Sequence, residues 1–318
     1  MNVIAGAPGS VAERHQAPRH AMLAIARVEG GRMARHPAFL VGLTASVILI
    51  LITLRPGAED WAGQNHYDSS VAWTFTWIGA LVAAALTAGR QRFVSEPDLF
   101  PATPATPADR ALGTALGLLG PAAAAVLAAA FVAVMTARAG GFELGDEGYS
   151  RSITPSVFEW AQPVLLVLLA GVVGVALAQL RRGRLPALIV AAMAVFIGGT
   201  VIWAFQGHPV RVLHPFMFPS YEQRLPDSFD PAGWGSGDPP LYPPDEYTLF
   251  WRAIRFDTGA LGWHLVYVAG LILLGIWVAA RLADRDESGS RARWVVLTGL
   301  PLLLIGGLAQ IVTAGMNG

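Results

Sequence analysis

Seven long stretches of the chain carry no charged side chain: residues 38–54, 69–89, 111–137, 160–180, 185–207, 258–280 and 294–316. Acids, arginines and prolines collect between them. A helix of about 20 apolar residues crosses a hydrocarbon core of about 30 Å, so each stretch reads as a membrane span. The first is the shortest and leaves little room for tilt. Pro121 and Pro301 fall inside the third and seventh stretches. They do not disqualify them, because neighbouring helices can satisfy the freed backbone groups. The pattern predicts an all-α, polytopic integral membrane protein with six to seven transmembrane helices.

The first 37 residues have a different pattern. At 100° per residue, Met22, Ile25, Ala26 and Met33 share one face, while Arg27, Arg32 and Arg35 lie elsewhere. An amphipathic helix lying in the membrane interface has this arrangement. Glu29 falls on the apolar side, three residues before Arg32, and can pair with it. Gly30 and Gly31 weaken the helix, and a solvated juxtamembrane segment is the plain alternative. No secretory signal is expected, because a long polar segment precedes the first apolar run and no small-residue cleavage site follows it.

Composition sharpens the membrane assignment and removes several chemistries. Of 318 residues, 54% are hydrophobic and 14% charged, with a mean hydropathy of +0.49. Soluble domains carry about 25% charged residues. The formal net charge is zero, which gives no reason to expect a nucleic-acid partner. All 22 basic residues are arginine. Without lysine the chain cannot form a Walker A phosphate-binding loop or a Schiff base. Without cysteine it forms no disulfide, thiolate nucleophile or cysteine-ligated metal site.

Arginine placement predicts orientation. The segments around 14–35, 90–110, 181–184 and 281–293 hold fifteen of the 22 arginines, and the alternate segments hold seven. By the positive-inside rule the amino terminus is cytoplasmic, and the carboxyl terminus is outside if all seven stretches span. The loop at 90–110 then faces the cytoplasm. The loop at 208–257, with nine of the 22 prolines, faces outward.

Little in the sequence resembles an active site. His15, His20, His36, His66, His208, His214 and His264 are scattered, with no HExxH pattern. His264 lies beside Trp263 and near Tyr267, as in an interfacial aromatic belt. Glu159 precedes the fourth stretch and is expected at headgroup level. Ser236 sits in Gly-Trp-Gly-Ser-Gly, which is not a nucleophile elbow. No ionisable residue falls in the middle of a stretch, which argues against a proton- or sodium-coupled carrier.

The segment "ARVEGGRMARHPAFLVGLTASVILILI" resembles the entry to type-2 ATP-binding cassette (ABC) transporter permeases of the actinobacterial type. There a basic amphipathic elbow helix precedes the first span. "RQRFVSEPDLFPATPATPADRALGTALG" looks like their coupling loop, in which an acidic stretch leads through a short helix into the third span. "GWHLVYVAGLILLGIWVAARL" is similar to their sixth span. The resemblance implies a cytoplasmic segment at 1–37 whose elbow helix includes Glu29, Arg32 and Arg35. It implies a six-span core at 38–281, then a linker and a seventh span within 282–318. In the coupling loop, Leu99, Phe100 and Pro101 form an apolar knob, Thr103 or Thr106 caps a helix starting at Pro107 or Ala108, and Arg92, Glu96, Pro104, Asp109 and Arg110 flank it. Such a chain exports a substrate across the bacterial cytoplasmic membrane, dimerises with itself or a sister permease, and recruits cytosolic ATPase subunits. ATP and Mg²⁺ bind those partners, and this chain binds no cofactor. Left to the residues alone, 90–110 also fits an ordinary connector, and an intramembrane enzyme or a non-transporting scaffold or sensor stays open.

Overall fold

The computed structural model describes residues 11–54, 65–93, 105–144, 151–180, 213–215, 258–283 and 293–316, together with positions 189 and 193. In chain order the helices are α1 (Val11–Ala34), α2 (Pro37–Thr53), α3 (Asn65–Ala72), α4 (Thr74–Phe93), α5 (Pro107–Gly117) and α6 (Leu119–Ala139). An antiparallel hairpin of β1 (Phe142–Leu144) and β2 (Arg151–Ile153) follows. Then come α7 (Val157–Ala178), α8 (Thr258–Ala283) and α9 (Arg293–Met316).

Among the described residues, five helical segments are long and apolar enough to cross a membrane: Ser69–Arg90, Pro107–Ala139, Val157–Ala178, Thr258–Ala283 and Trp294–Thr313. A sixth forms if α1 and α2, bent by 54° at their junction, count as one broken span. The chain is a helical, polytopic membrane protein. Six of the seven apolar stretches coincide with these helices. The seventh, 185–207, lies outside the described residues except for positions 189 and 193, both helical.

Burial separates the helices into centre and periphery. In α4 and α7, 67% and 61% of the apolar window is buried, against 33% for Pro107–Ala139 and 28% for each of α8 and α9. The central pair therefore carries the packing, and the peripheral helices leave Leu127, Leu297, Leu308 and similar side chains outward. In a bilayer an exposed leucine costs nothing, so helices associate through close van der Waals fit and interhelical hydrogen bonds. The contacts show this. Gly79 of α4 stands against α2, where an added Cβ would come 2.5 Å from the carbonyl oxygen of Ala38. Gly42 of α2 meets the carbonyl of Phe75 in the same way, so α2 and α4 run antiparallel at backbone distance.

The break between α3 and α4 at Trp73 is stitched by α2. Ser46 donates its hydroxyl to the carbonyl of Ala72 at 2.7 Å, and accepts from the Thr76 amide at 3.2 Å and the Thr76 hydroxyl at 2.7 Å. These groups are buried, and one side chain supplies partners that an unbroken helix would provide internally. At the start of α7, Ser156 and Glu159 form a reciprocal capping box. Glu159, expected at headgroup level, thus serves the helix terminus.

Candidate functional site at the junction of α1 and α5

The loop singled out by the sequence ends in α5, whose start is set locally. Thr106 is the N-cap: its hydroxyl accepts from the Asp109 amide at 3.1 Å, and Asp109 Oδ2 accepts from the Thr106 amide at 3.1 Å. The Thr106 hydroxyl also donates to that carboxylate oxygen at 2.8 Å. Pro107 at the first helical position loses nothing by lacking an N–H. Of the two caps and two starts that the sequence allows, Thr106 and Pro107 are used. The carboxylate in the first turn also faces the positive end of the helix dipole.

The third apolar stretch is not one uninterrupted helix. α5 ends at Gly117, Leu118 forms a turn, and α6 continues from Leu119. The reason is Pro121, which provides no N–H for the carbonyl of Gly117 four residues earlier. That carbonyl faces α1 instead, at Gly30, where an added Cβ would lie 2.7 Å from it. Gly113 lies against Met22 and Ile25, and Gly117 against Ala26, Gly30 and Met33. The increasing numbers on both sides mean that α1 and α5 run parallel. Gly30 is therefore the point of closest approach, although in sequence it only weakens a helix.

Length allows α6 to cross a bilayer without α5. At 1.5 Å per residue α6, with 21 residues, is about 31 Å long and crosses a 30 Å core alone. α5 adds about 16 Å to that length.

On α1 the predicted face is the buried one. Met33 is fully buried, Met22, Ile25 and Ala26 are partly covered, and Arg27, Arg32 and Arg35 are exposed. The face turns toward α5 and α6 rather than lying free. Glu29 is only 6% exposed, and its Oε1 accepts from Arg32 Nη1 at 2.9 Å, the pairing expected from their spacing. Its Oε2 is buried without a hydrogen-bond partner. Asp109 is buried at the same exposure, while Arg110 is partly exposed.

The rest of the predicted loop is not reached. Glu96, Leu99, Phe100, Pro101, Thr103 and Pro104 lie outside the described residues, as does the side chain of Arg92, whose backbone belongs to α4. Glu29 and Arg32 thus pair within α1 near Gly30, and Thr106 and Asp109 pair at the start of α5, two local features on helices that pack together at Gly113 and Gly117.

Two further polar features escaped the sequence reading. His36 accepts a hydrogen bond at Nδ1 from the Ala38 amide, 3.2 Å away, and so caps α2. His264, assigned above to an interfacial belt, is fully buried between α8 and α9. Its Nδ1 lies 3.0 Å from Oε1 of Gln310. The two side chains form one buried hydrogen bond between the helices, its direction set by the ring's tautomer. Nearby, the Tyr267 hydroxyl donates to the carbonyl of Leu213 at 2.9 Å. The Gly-x-x-x-Gly spacing of Gly113 and Gly117 is a sequence signal that would have found the α1 contact. No comparable signal links His264 to Gln310.

Among the described residues no three histidine or acidic side chains converge as a metal site. Comparison with protein-family models, with curated proteins and with solved structures found no match.

Proposed function

We propose that the chain is the transmembrane subunit of a type-2 ABC exporter, moving a substrate across the bacterial cytoplasmic membrane with energy from a separate ATPase. The observation that carries this reading is the joint packing of α1 and α5 at one end of the bundle. α5 follows directly from the 90–110 loop and leads into α6, while α1 leads into α2. A displacement of the loop would therefore reach two membrane helices together. In this reading the amino terminus is cytoplasmic, α1 is the elbow helix and Leu99, Phe100 and Pro101 enter a groove on the ATPase. Nucleotide-driven closure of two ATPase subunits moves the loop, and two permease copies form the translocation path. ATP and Mg²⁺ belong to the partner, because this chain has no lysine for a phosphate-binding loop.

The test is co-purification from native membranes. Tagged wild-type chain should recover an ATPase bearing a Walker A loop, and the chain alone should hydrolyse no ATP. Leu99→Ala/Phe100→Ala should lose most of that partner at unchanged expression, since truncating an interface anchor commonly costs about 2 kcal/mol or more. Equal recovery with the double variant would reduce the loop to a connector, and turnover by the chain alone would exclude the proposal.

A further inference from the structure

A titratable side chain stands at the junction of α1 and α2. His36 ends α1, donating its amide to the carbonyl of Met33 at 3.1 Å, and starts α2 as its N-cap. Pro37 occupies the first helical position and has no N–H, so the Ala38 amide is the first donor that needs a partner. The His36 ring supplies it through Nδ1 at 3.2 Å. Only an imidazole with an unprotonated Nδ1 can do so, because both nitrogens of the imidazolium are donors.

The surroundings oppose the cation. Partial burial, then the Arg90 guanidinium of α4, hold the ring's pKa below its ordinary 6.5. His36 stands at the joint, ahead of the apolar run of α2. α2 itself contains no titratable residue. On α1, Glu29 is engaged by Arg32, and Arg35 is the adjacent cation. α5, packed along α1, brings Asp109, which is bonded into the Thr106 cap, and Arg110. Among these described groups, Arg90 is the charge whose field reaches the ring.

We propose that His36 is a proton-sensitive hinge pin: its neutral ring fixes the 54° bend between α1 and α2, and its protonation frees that bend. The sign follows from linkage. Losing the cap releases Nδ1, so the uncapped state takes the proton more readily than the capped one. The capped bend is therefore held above about pH 6.5 and weakens as the pH falls below it. Because α1 packs on α5, a freed bend changes how movement of that pair reaches α2. The inference depends on the local geometry alone and stands whichever partner the protein has.

The natural absence of cysteine permits a direct test on the full chain. Spin labels at Arg27→Cys on α1 and Ile48→Cys on α2, both exposed positions, report the bend in lipid nanodiscs. The wild-type background should give one narrow distance at pH 8, and a broadened, shifted distribution at pH 5. His36→Asn, whose amide caps without titrating, should stay narrow at both. His36→Ala should be broad at both. A wild-type distance unchanged between pH 8 and 5 would overturn the proposal, as would a pH response persisting in His36→Asn or a narrow distance in His36→Ala.

Discussion

Where α1 meets α5, two parallel helices approach through Gly30, Gly113 and Gly117; where α8 meets α9, two antiparallel helices approach through Gly270, Gly299 and Gly306. The steric device is the same, and the polar groups beside it differ. Between α8 and α9 the buried bond of His264 to Gln310 crosses from one helix to the other. Sliding either helix would break this buried bond, so the bond specifies register. At the α1–α5 contact Glu29 is bonded within its own helix, to Arg32. Its charge adds no register between the helices, and its second oxygen is buried without a hydrogen bond. The pair near the proposed coupling loop is thus fitted by shape at Gly30, while the peripheral pair is locked by a polar bond.

The largest expected effect separates shape from helix propensity. Replacing glycine by alanine inside a helix gains up to about 1 kcal/mol of propensity at either Gly30 or Gly31. A Cβ at Gly31 meets nothing within 4 Å, whereas one at Gly30 lies 2.7 Å from a backbone oxygen that cannot rotate away. Gly31→Ala should therefore be neutral or stabilising, and Gly30→Ala should destabilise by about 2 kcal/mol through overpacking. Thermal retention of the monodisperse protein in detergent measures both. Equal behaviour would mean that α1 is not seated on α5 at Gly30.

Next comes the lock. Gln310→Leu removes the hydrogen bond between Gln310 and the buried His264 ring and should cost about 1 kcal/mol, given the modest value of polar bonds inside membranes. His264→Leu/Gln310→Leu should cost less than the sum of the single changes, because the pair is removed together. Additive losses in the same thermal assay would show that the two residues act separately.

The smallest effect tests the charge on α1. Glu29→Gln keeps an oxygen for Arg32, whose side chain is 57% exposed. Glu29 itself is only 8% exposed, but the guanidinium is open to solvent, so the pair is screened from the arginine side and worth about 1 kcal/mol at most. The change should stay below about 0.5 kcal/mol by the same criterion. A large loss would place Glu29 in a bond across the seam and erase the contrast drawn here.

How much was legible follows from the range of each interaction. The apolar stretches were, because a bilayer imposes the same length requirement on every helix. So were the Thr106 cap and the Glu29–Arg32 pair, each made between residues three apart. The candidate loop was legible only as a pattern of prolines, acids and a knob at Leu99 and Phe100. The structural character of His264 was legible from its aromatic neighbours, but its partner was not, because Gln310 is 46 residues away.

By itself, then, the sequence determined that this is a multi-span membrane protein and where several helices begin. Composition, period and caps act within one turn or one bilayer thickness, and the local chain contains all the information they need. Tertiary structure alone decided that Gly30 is a contact rather than a defect, that the buried face of α1 turns toward α5, and that His264 meets Gln310. Each depends on which backbone comes within a few ångströms of another, a distance set by the packing of whole helices.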